Sequence, residues 1–313
     1  MMQRSQRPPA RALTAVSIAI VIAGCAGGNQ PSGPTATGSG PAATAAGSAG
    51  TGPAATAAGP AGTSPAVAAG AIDGLFEVED GRSLFLRCTG EGSPTVILEG
   101  GDGDSKASYA FAESALASGT RTCVYDRANL GLSDPAPGPR GLDELVGDLE
   151  RLLEVAGVAP PYVLVGTSGG GYITAGYAHR HPDDVAGLVF VDTGAPFLDP
   201  PPQVVKETTW NDPSNVEQRD YLQVEKDAWN ARAEIGDIPV SVVSVEYSAS
   251  DIEDAEFDAE REGMRDNVEA QQGWLVLSPR AEQIVVHTGH AVEEDDPQLV
   301  IDVIRDVVAA ARR

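Results

Sequence analysis

Three cysteines, three tryptophans and four histidines are all that these 313 residues hold, and 21 Lys and Arg face 45 Asp and Glu. Each shortage removes a class of function. So few basic residues argue against a nucleic-acid partner, and a formal charge of −24 argues against direct adsorption on anionic lipid. The cysteines lack zinc-site spacing, and neither a phosphate-binding loop nor a dinucleotide fingerprint is present, so no metal and no cofactor is expected. The acidic run from Asp251 to Glu262 has Glu256 where a twelve-residue calcium loop needs glycine, and it reads as a solvated helix face. Beyond residue 24, no hydrophobic stretch is long enough to cross a membrane.

The charge that is present is unevenly placed. Residues 1–70 carry only Arg4, Arg7 and Arg11, followed by the 13 small or aliphatic residues Ala12 to Gly24 and then Cys25. A basic start and an apolar run too short to span a bilayer describe a signal peptide over 1–24. Ile22-Ala23-Gly24-Cys25 resembles the lipobox of bacterial lipoproteins, in which the chain is cut before the cysteine and its thiol is acylated. The resemblance implies an exported protein held by a lipid on Cys25 to the outer face of the bacterial cell membrane. An incidental cysteine after an ordinary signal would leave a secreted protein instead. Residues 26–70 are Ala, Gly, Thr, Ser and Pro with no charge, a composition that cannot offset its chain entropy. Residues 25–70 therefore read as a lipidated cysteine and disordered tether, with a coil reach of roughly 35–40 Å.

Residues 71–313 hold all 45 acidic residues and 18 basic ones, a formal charge of −27, and read as one domain. Leu75–Val78 and Ser83–Cys88 form a hairpin pattern around Asp80-Gly81. Short apolar runs follow at Thr95–Glu99, Thr122–Tyr125, Tyr162–Gly166, Gly187–Val191, Val240–Val245 and Gln283–His287. The middle ones are apolar throughout, as parallel strands covered on both faces require. Between them lie a helical pattern from Leu142 ending at Gly157, a second over Gly169–His181, a polar third over Ala255–Gln272 and a last one after Pro297. Alternating strands and helices imply an α/β fold with a mostly parallel, doubly wound sheet. Residues 195–237, rich in proline and tryptophan, interrupt the alternation and read as a small cap inserted over the sheet.

Ser168 lies between an apolar run and a helical pattern, within Gly166-Thr167-Ser168-Gly169-Gly170. A sharp strand-to-helix turn crowds the residues around its apex, and glycine two before and two after relieves the clash. The hydroxyl then stands at the carboxyl edge of the sheet. At this point the chain resembles the α/β-hydrolase family over nearly all of 71–313. "YVLVGTSGGGYITAGYAHRHPDDVAGLVFVD" is similar to that family's nucleophile elbow, helix and next strand. "YDRANLGLSD" is similar to its loop after strand four, with Asn129 in place of the more usual glycine, and "HTGHAVEEDDPQLVIDVIRDVV" to its terminal strand, histidine loop and closing helix.

The resemblance implies Ser168 as nucleophile and His290 as base. His179 and His181 are carried away along the helix, and His287 falls within the last strand. The acid stays open. In this family it usually follows strand seven, where the sequence has Tyr247, Ser248 and Ala249, with Asp251 later and Glu246 earlier. Asp192, directly after strand six, resembles the acid of pancreatic-type lipases and is favoured over Asp251 and Glu246. The oxyanion hole needs two backbone N–H groups. Gly169 supplies one; Asp102, or Gly101 one residue earlier, supplies the other, with the Asp102 carboxylate expected to point away.

In the family's sheet order the strands of Cys88 and Cys123 are antiparallel neighbours, close enough for a disulfide if the register puts the two opposite, with buried free thiols as the alternative. The implied activity is cleavage of a carboxylic ester, small or lipid-like, through an acyl-enzyme on Ser168. Acyl transfer or amide cleavage at the same triad, or a non-catalytic binding module, are the alternatives. Phe197, Trp210, Tyr221 and Trp229 of the cap either line the substrate or form the cap's own core. Oligomeric state leaves no signature in the sequence.

Overall fold

The structure, a computed structural model, describes residues 71–79, 81–196, 200, 202–255 and 257–313. The expectations for Cys25, the signal peptide, the tether and Phe197 lie outside the described residues. Eight strands form one sheet: β1 (Ile72–Glu79), β2 (Arg82–Thr89), β3 (Thr95–Glu99), β4 (Thr122–Tyr125), β5 (Tyr162–Thr167), β6 (Val185–Val191), β7 (Val240–Val245) and β8 (Ala281–Val286). Their order is β1-β2-β4-β3-β5-β6-β7-β8. The β1–β2 and β2–β4 pairs are antiparallel and every pair from β3 onward is parallel. β8 ends one residue before His287, so that histidine is not in the strand as expected; it stands exposed, with its Nδ1 3.2 Å from Glu246 Oε2.

The apolar middle strands are buried on both faces because successive side chains alternate between two cores. Leu164, Leu188, Phe190 and Val242 join the core beneath α2 (Leu142–Val155) and α3 (Gly169–Arg180). Val163, Val165, Val189 and Val243 join the opposite core, beneath α1 (Ala110–Ala117) and, at the C-terminus, α9 (Pro297–Ala311). Two helices occupy the insertion, α4 (Pro202–Glu207) and α5 (Tyr221–Ala231). The polar helix expected over 255–272 is α7 (Asp258–Gln271), and a short helix that was not expected, α6 (Ala249–Asp254), precedes it. Val292–Asp295 forms the short α8 between the histidine loop and α9.

The register places Cys88 directly opposite Cys123 on β2 and β4, and the two are joined in a disulfide with Cα atoms 4.0 Å apart. Both cysteines are fully buried.

Candidate active site

Ser168 occupies the turn between β5 and α3 with φ 47° and ψ −124°, a conformation costly to any residue with a side chain. The crowding inferred from the glycines is visible. A Cβ on Gly166 would lie 2.5 Å from the Cα of Gly171, and one on Gly170 would run into the carbonyls of Gly100 and Glu99. The turn is held by its neighbours: Ser168 N–H donates to the Val191 carbonyl at 2.8 Å, and the Thr193 hydroxyl donates to the Ser168 carbonyl at 3.0 Å.

His290 sits in the loop after β8, at the same carboxyl edge. Its Nδ1 is 2.7 Å from Asp192 Oδ2. Neither Asp251 nor Glu246 takes that place. Asp251 is exposed and caps α6 through Ser248, and Glu246 faces His287. His179 is exposed on α3, and His181 pairs with Glu150 at 2.7 Å.

Asp192 follows β6 with φ 46°, a left-handed turn that sends its carboxylate inward, where the side chain is 1% exposed. Oδ1 accepts from Val245 N–H at 3.1 Å, Asn267 at 2.8 Å and Gln271 at 2.6 Å. Oδ2 accepts from the Tyr247 hydroxyl at 2.7 Å besides facing His290. Burial alone would raise the Asp192 pKa, but the hydrogen bond and charge of His290, with Asn267 and Tyr247, hold it below the usual carboxylate value. Burial works against a charged His290, yet Asp192 prevails, helped by Glu293 and Asp102, and the imidazole titrates above its ordinary range. Tyr247, Asn267 and Gln271 were not anticipated. Tyr247 fills the position where an acid was sought. Asn267 and Gln271, four residues apart on α7, form an inward face of the polar helix, beyond the acidic run 251–262.

The loop after β3 is fastened by a buried cation. Arg127 donates to the carbonyls of Gly100 at 2.8 Å and Gly101 at 2.6 Å, and pairs with Glu99 at 2.5 Å and Glu217 at 2.8 Å. Burial raises the Glu99 pKa even beside Arg127, whereas Arg127 outweighs burial and lowers that of Glu217. In a trans peptide the N–H points opposite to the C=O. Fastening the Gly101 carbonyl to Arg127 therefore turns the Asp102 N–H the other way, while Gly101 N–H is engaged by Asp104 Oδ2 at 3.2 Å. Asn129, at the usual glycine position, has φ 72°, a conformation asparagine tolerates, and its side chain binds Ala136 and the Glu217 carbonyl.

The Asp102 carboxylate does not point away as expected. It lies against Gly169, in the space a Cβ there would fill. Arg219 makes this tenable: fully buried, it pairs with Asp102 at 2.5 Å and donates to the Gly169 carbonyl at 3.0 Å. An arginine in the cap carries no sequence signal for such a role. Of the cap aromatics, Trp229 packs edge-on against Trp274 at 4.9 Å and Trp210 abuts Gly138, so both serve packing. Tyr221 is buried beside Arg219.

A family model of the alpha/beta hydrolase fold matches residues 94–230. The "Uncharacterized protein YqjL" of Bacillus subtilis is 25% identical over 229 residues, 71% of this chain and 86% of that protein. The "Probable transporter efuK" of Hormonema carpetanum is 34% identical over 145 residues, 44% of this chain, which spans only 21% of that protein. Among solved structures, a thermophilic esterase from Thermogutta terrifontis superposes with a TM-score of 0.58 at 19% identity, over 78% of this chain and 99% of the esterase. Sheet order, elbow and these likenesses together define the α/β-hydrolase fold.

Proposed function

We propose that the protein is a serine hydrolase that cleaves carboxylic esters through an acyl-enzyme on Ser168. The observation that carries this is the Asp192–His290 hydrogen bond of 2.7 Å at the same sheet edge as the strained Ser168 turn. His290 Nε2 takes the Ser168 proton as Oγ attacks the ester carbonyl. Asp192 fixes the tautomer with Nδ1–H and stabilises the imidazolium. The N–H groups of Gly169 and Asp102 receive the developing oxyanion. Collapse expels the alcohol, which takes the proton from His290. Water, activated by the same imidazole, then attacks the acyl-serine and releases the acid. The esterase likeness supports the fold of such an enzyme; the acid–base pair beside the elbow supports the chemistry.

A fluorophosphonate probe should label the chain at Ser168 and nowhere in Ser168→Ala. Ester hydrolysis by that variant should fall below about a hundredth of wild type, since losing an activated serine costs far more than that in the template triad. Labelling that persists in Ser168→Ala would overturn the assignment. Products formed with added alcohol separate hydrolysis from acyl transfer.

The site works, in this reading, outside the cell on a lipid anchor at Cys25. Several acyl chains give stable attachment where one is marginal. Cys25→Ser should move the protein from the membrane fraction to the soluble one, or block its processing. Recovery of the correctly cleaved variant in the membrane fraction would remove the anchor from the proposal.

A further inference from the structure

Glu293 lies three residues beyond His290, on α8, and is only 8% exposed. Its Oε2 is shut off from solvent without a hydrogen-bond partner. Such an oxygen is costly unless something answers it. The charged groups that weigh most on Glu293 are His290, Asp104 and Glu294, with no lysine or arginine among them. Glu293 acts in turn on His290 and on the Tyr109 hydroxyl, which is hydrogen-bonded to Thr167, the residue before Ser168.

Asp104 approaches the same place from the loop after β3. A Cβ on Gly101 would lie 3.1 Å from Asp104 Oδ2 and 3.5 Å from the Ser168 Cβ, so carboxylate and serine flank one glycine. The other carboxylates around the site are answered from within the chain: Asp102 by Arg219, Glu99 and Glu217 by Arg127, Asp126 by Lys106, and Asp192 by its five partners. Among the described residues, Asp104 and Glu293 have no such cation. Asp104 stands across Gly101 from Ser168, and Glu293 lies three residues beyond His290.

We propose that Asp104 and Glu293 form a cation subsite beside Ser168, so that the preferred ester carries an ammonium group close to its carbonyl. This rests on the serine-hydrolase reading and names its substrate class. The ligand supplies the positive charge that the chain withholds, and a domain of 45 acidic and 18 basic residues draws such a ligand toward it. Burial pushes the Glu293 carboxyl up to about 7, with Asp104 and Glu294 raising it and His290 opposing. Preference for the cation therefore strengthens as pH rises through about 7 and fades below, where the carboxyl is protonated. Deprotonation of His290 changes both members of a matched substrate pair alike and cancels in their ratio.

Two isosteric pairs test this, one for each side of the ester: alanine benzyl ester against benzyl isobutyrate, and acetylcholine against 3,3-dimethylbutyl acetate. The quantity read is the kcat/KM ratio of charged to neutral member, in wild type and in Glu293→Gln, with Asp104→Asn as a second variant. In at least one pair the ratio should fall by about tenfold in each variant, and for the acetylcholine pair, whose charge does not titrate, it should rise with pH in wild type and lose that rise in Glu293→Gln. A ratio unchanged by either variant in both pairs overturns the proposal. Calorimetric binding of acetylcholine, alanine benzyl ester and their neutral counterparts to Ser168→Ala reads the subsite without chemistry. Cation-selective binding lost in the Glu293→Gln double variant, with no turnover by wild type, would keep the subsite and remove the hydrolase reading. Turnover without selectivity would do the reverse.

Discussion

Asp192 receives more hydrogen bonds than orienting one imidazole requires. Val245, Asn267, Gln271 and Tyr247 donate to it besides the contact with His290. The surplus allows a fully buried carboxylate to stay ionised, and the anion in turn holds the His290 pKa up. A raised base must lose its proton before it can act. The acid limb of kcat/KM should therefore lie above the ordinary histidine value of about 6.5. Asp192→Asn removes the anion and should lower that limb while reducing turnover on the order of 10⁴-fold, because the amide can stabilise the wrong tautomer. A pH–rate profile of the variant measures both. A large loss in Asp251→Asn with a small one in Asp192→Asn would reverse the roles. The serine and histidine were legible because local patterns announce them, glycines around one and a strand-to-helix loop around the other. The partner of His290 was legible only as a choice among three residues, since what distinguishes Asp192 is the set of donors that β7, α7 and Tyr247 bring to it.

At the scale of elements, the disulfide ties the antiparallel β2 to β4, across a sequence separation of 35 residues that includes β3 and α1. Closing a loop of that length in the unfolded chain should stabilise the domain by roughly 2–4 kcal/mol. Reduction under native conditions, or the Cys88→Ser/Cys123→Ser double variant, should lower the urea midpoint accordingly. The Ser168 labelling rate should hold, because Cys123 enters at the start of β4, away from the carboxyl edge. A midpoint that does not move would place the thiols outside the stability of the fold. Strands β3, β4 and β7 are legible to the residue because continuous apolar runs bounded by glycine, proline or charge leave little choice of ends. α1 is missed because eight residues, half of them alanine, show little contrast between faces, with Phe111, Ala112, Ala115 and Leu116 all packed on the core. α6 is missed for a related reason: its six residues are mostly acidic or small, bury no side chain fully, and leave Ile252 partly buried against the core.

At the scale of the whole molecule, most of the formal charge of −27 on residues 71–313 is carried at the surface, even though the buried arginines are outnumbered by buried carboxylates. Arg127, Arg140 and Arg219 are buried and spent on Glu99, Glu217, Asp148 and Asp102, while Lys106 is mostly covered by its pairing with Asp126. Cations used inside cannot soften repulsion between carboxylates outside. Buried pairs feel added salt weakly, whereas repulsion among exposed carboxylates is screened once the Debye length drops below their spacing. That length falls from about 30 Å at 0.01 M to about 8 Å at 0.15 M. Exposed attractive pairs, such as Arg180 with Asp143, are too few to reverse the balance and contribute little singly. Raising sodium chloride over this range should therefore increase the urea midpoint of the folded domain, most steeply at the low end. Unfolding curves followed by tryptophan fluorescence at four or five salt concentrations give the trend directly. A midpoint that falls with salt would mean that surface attraction, not repulsion, governs the exterior of this domain, and that its acidic excess is arranged in compensating pairs.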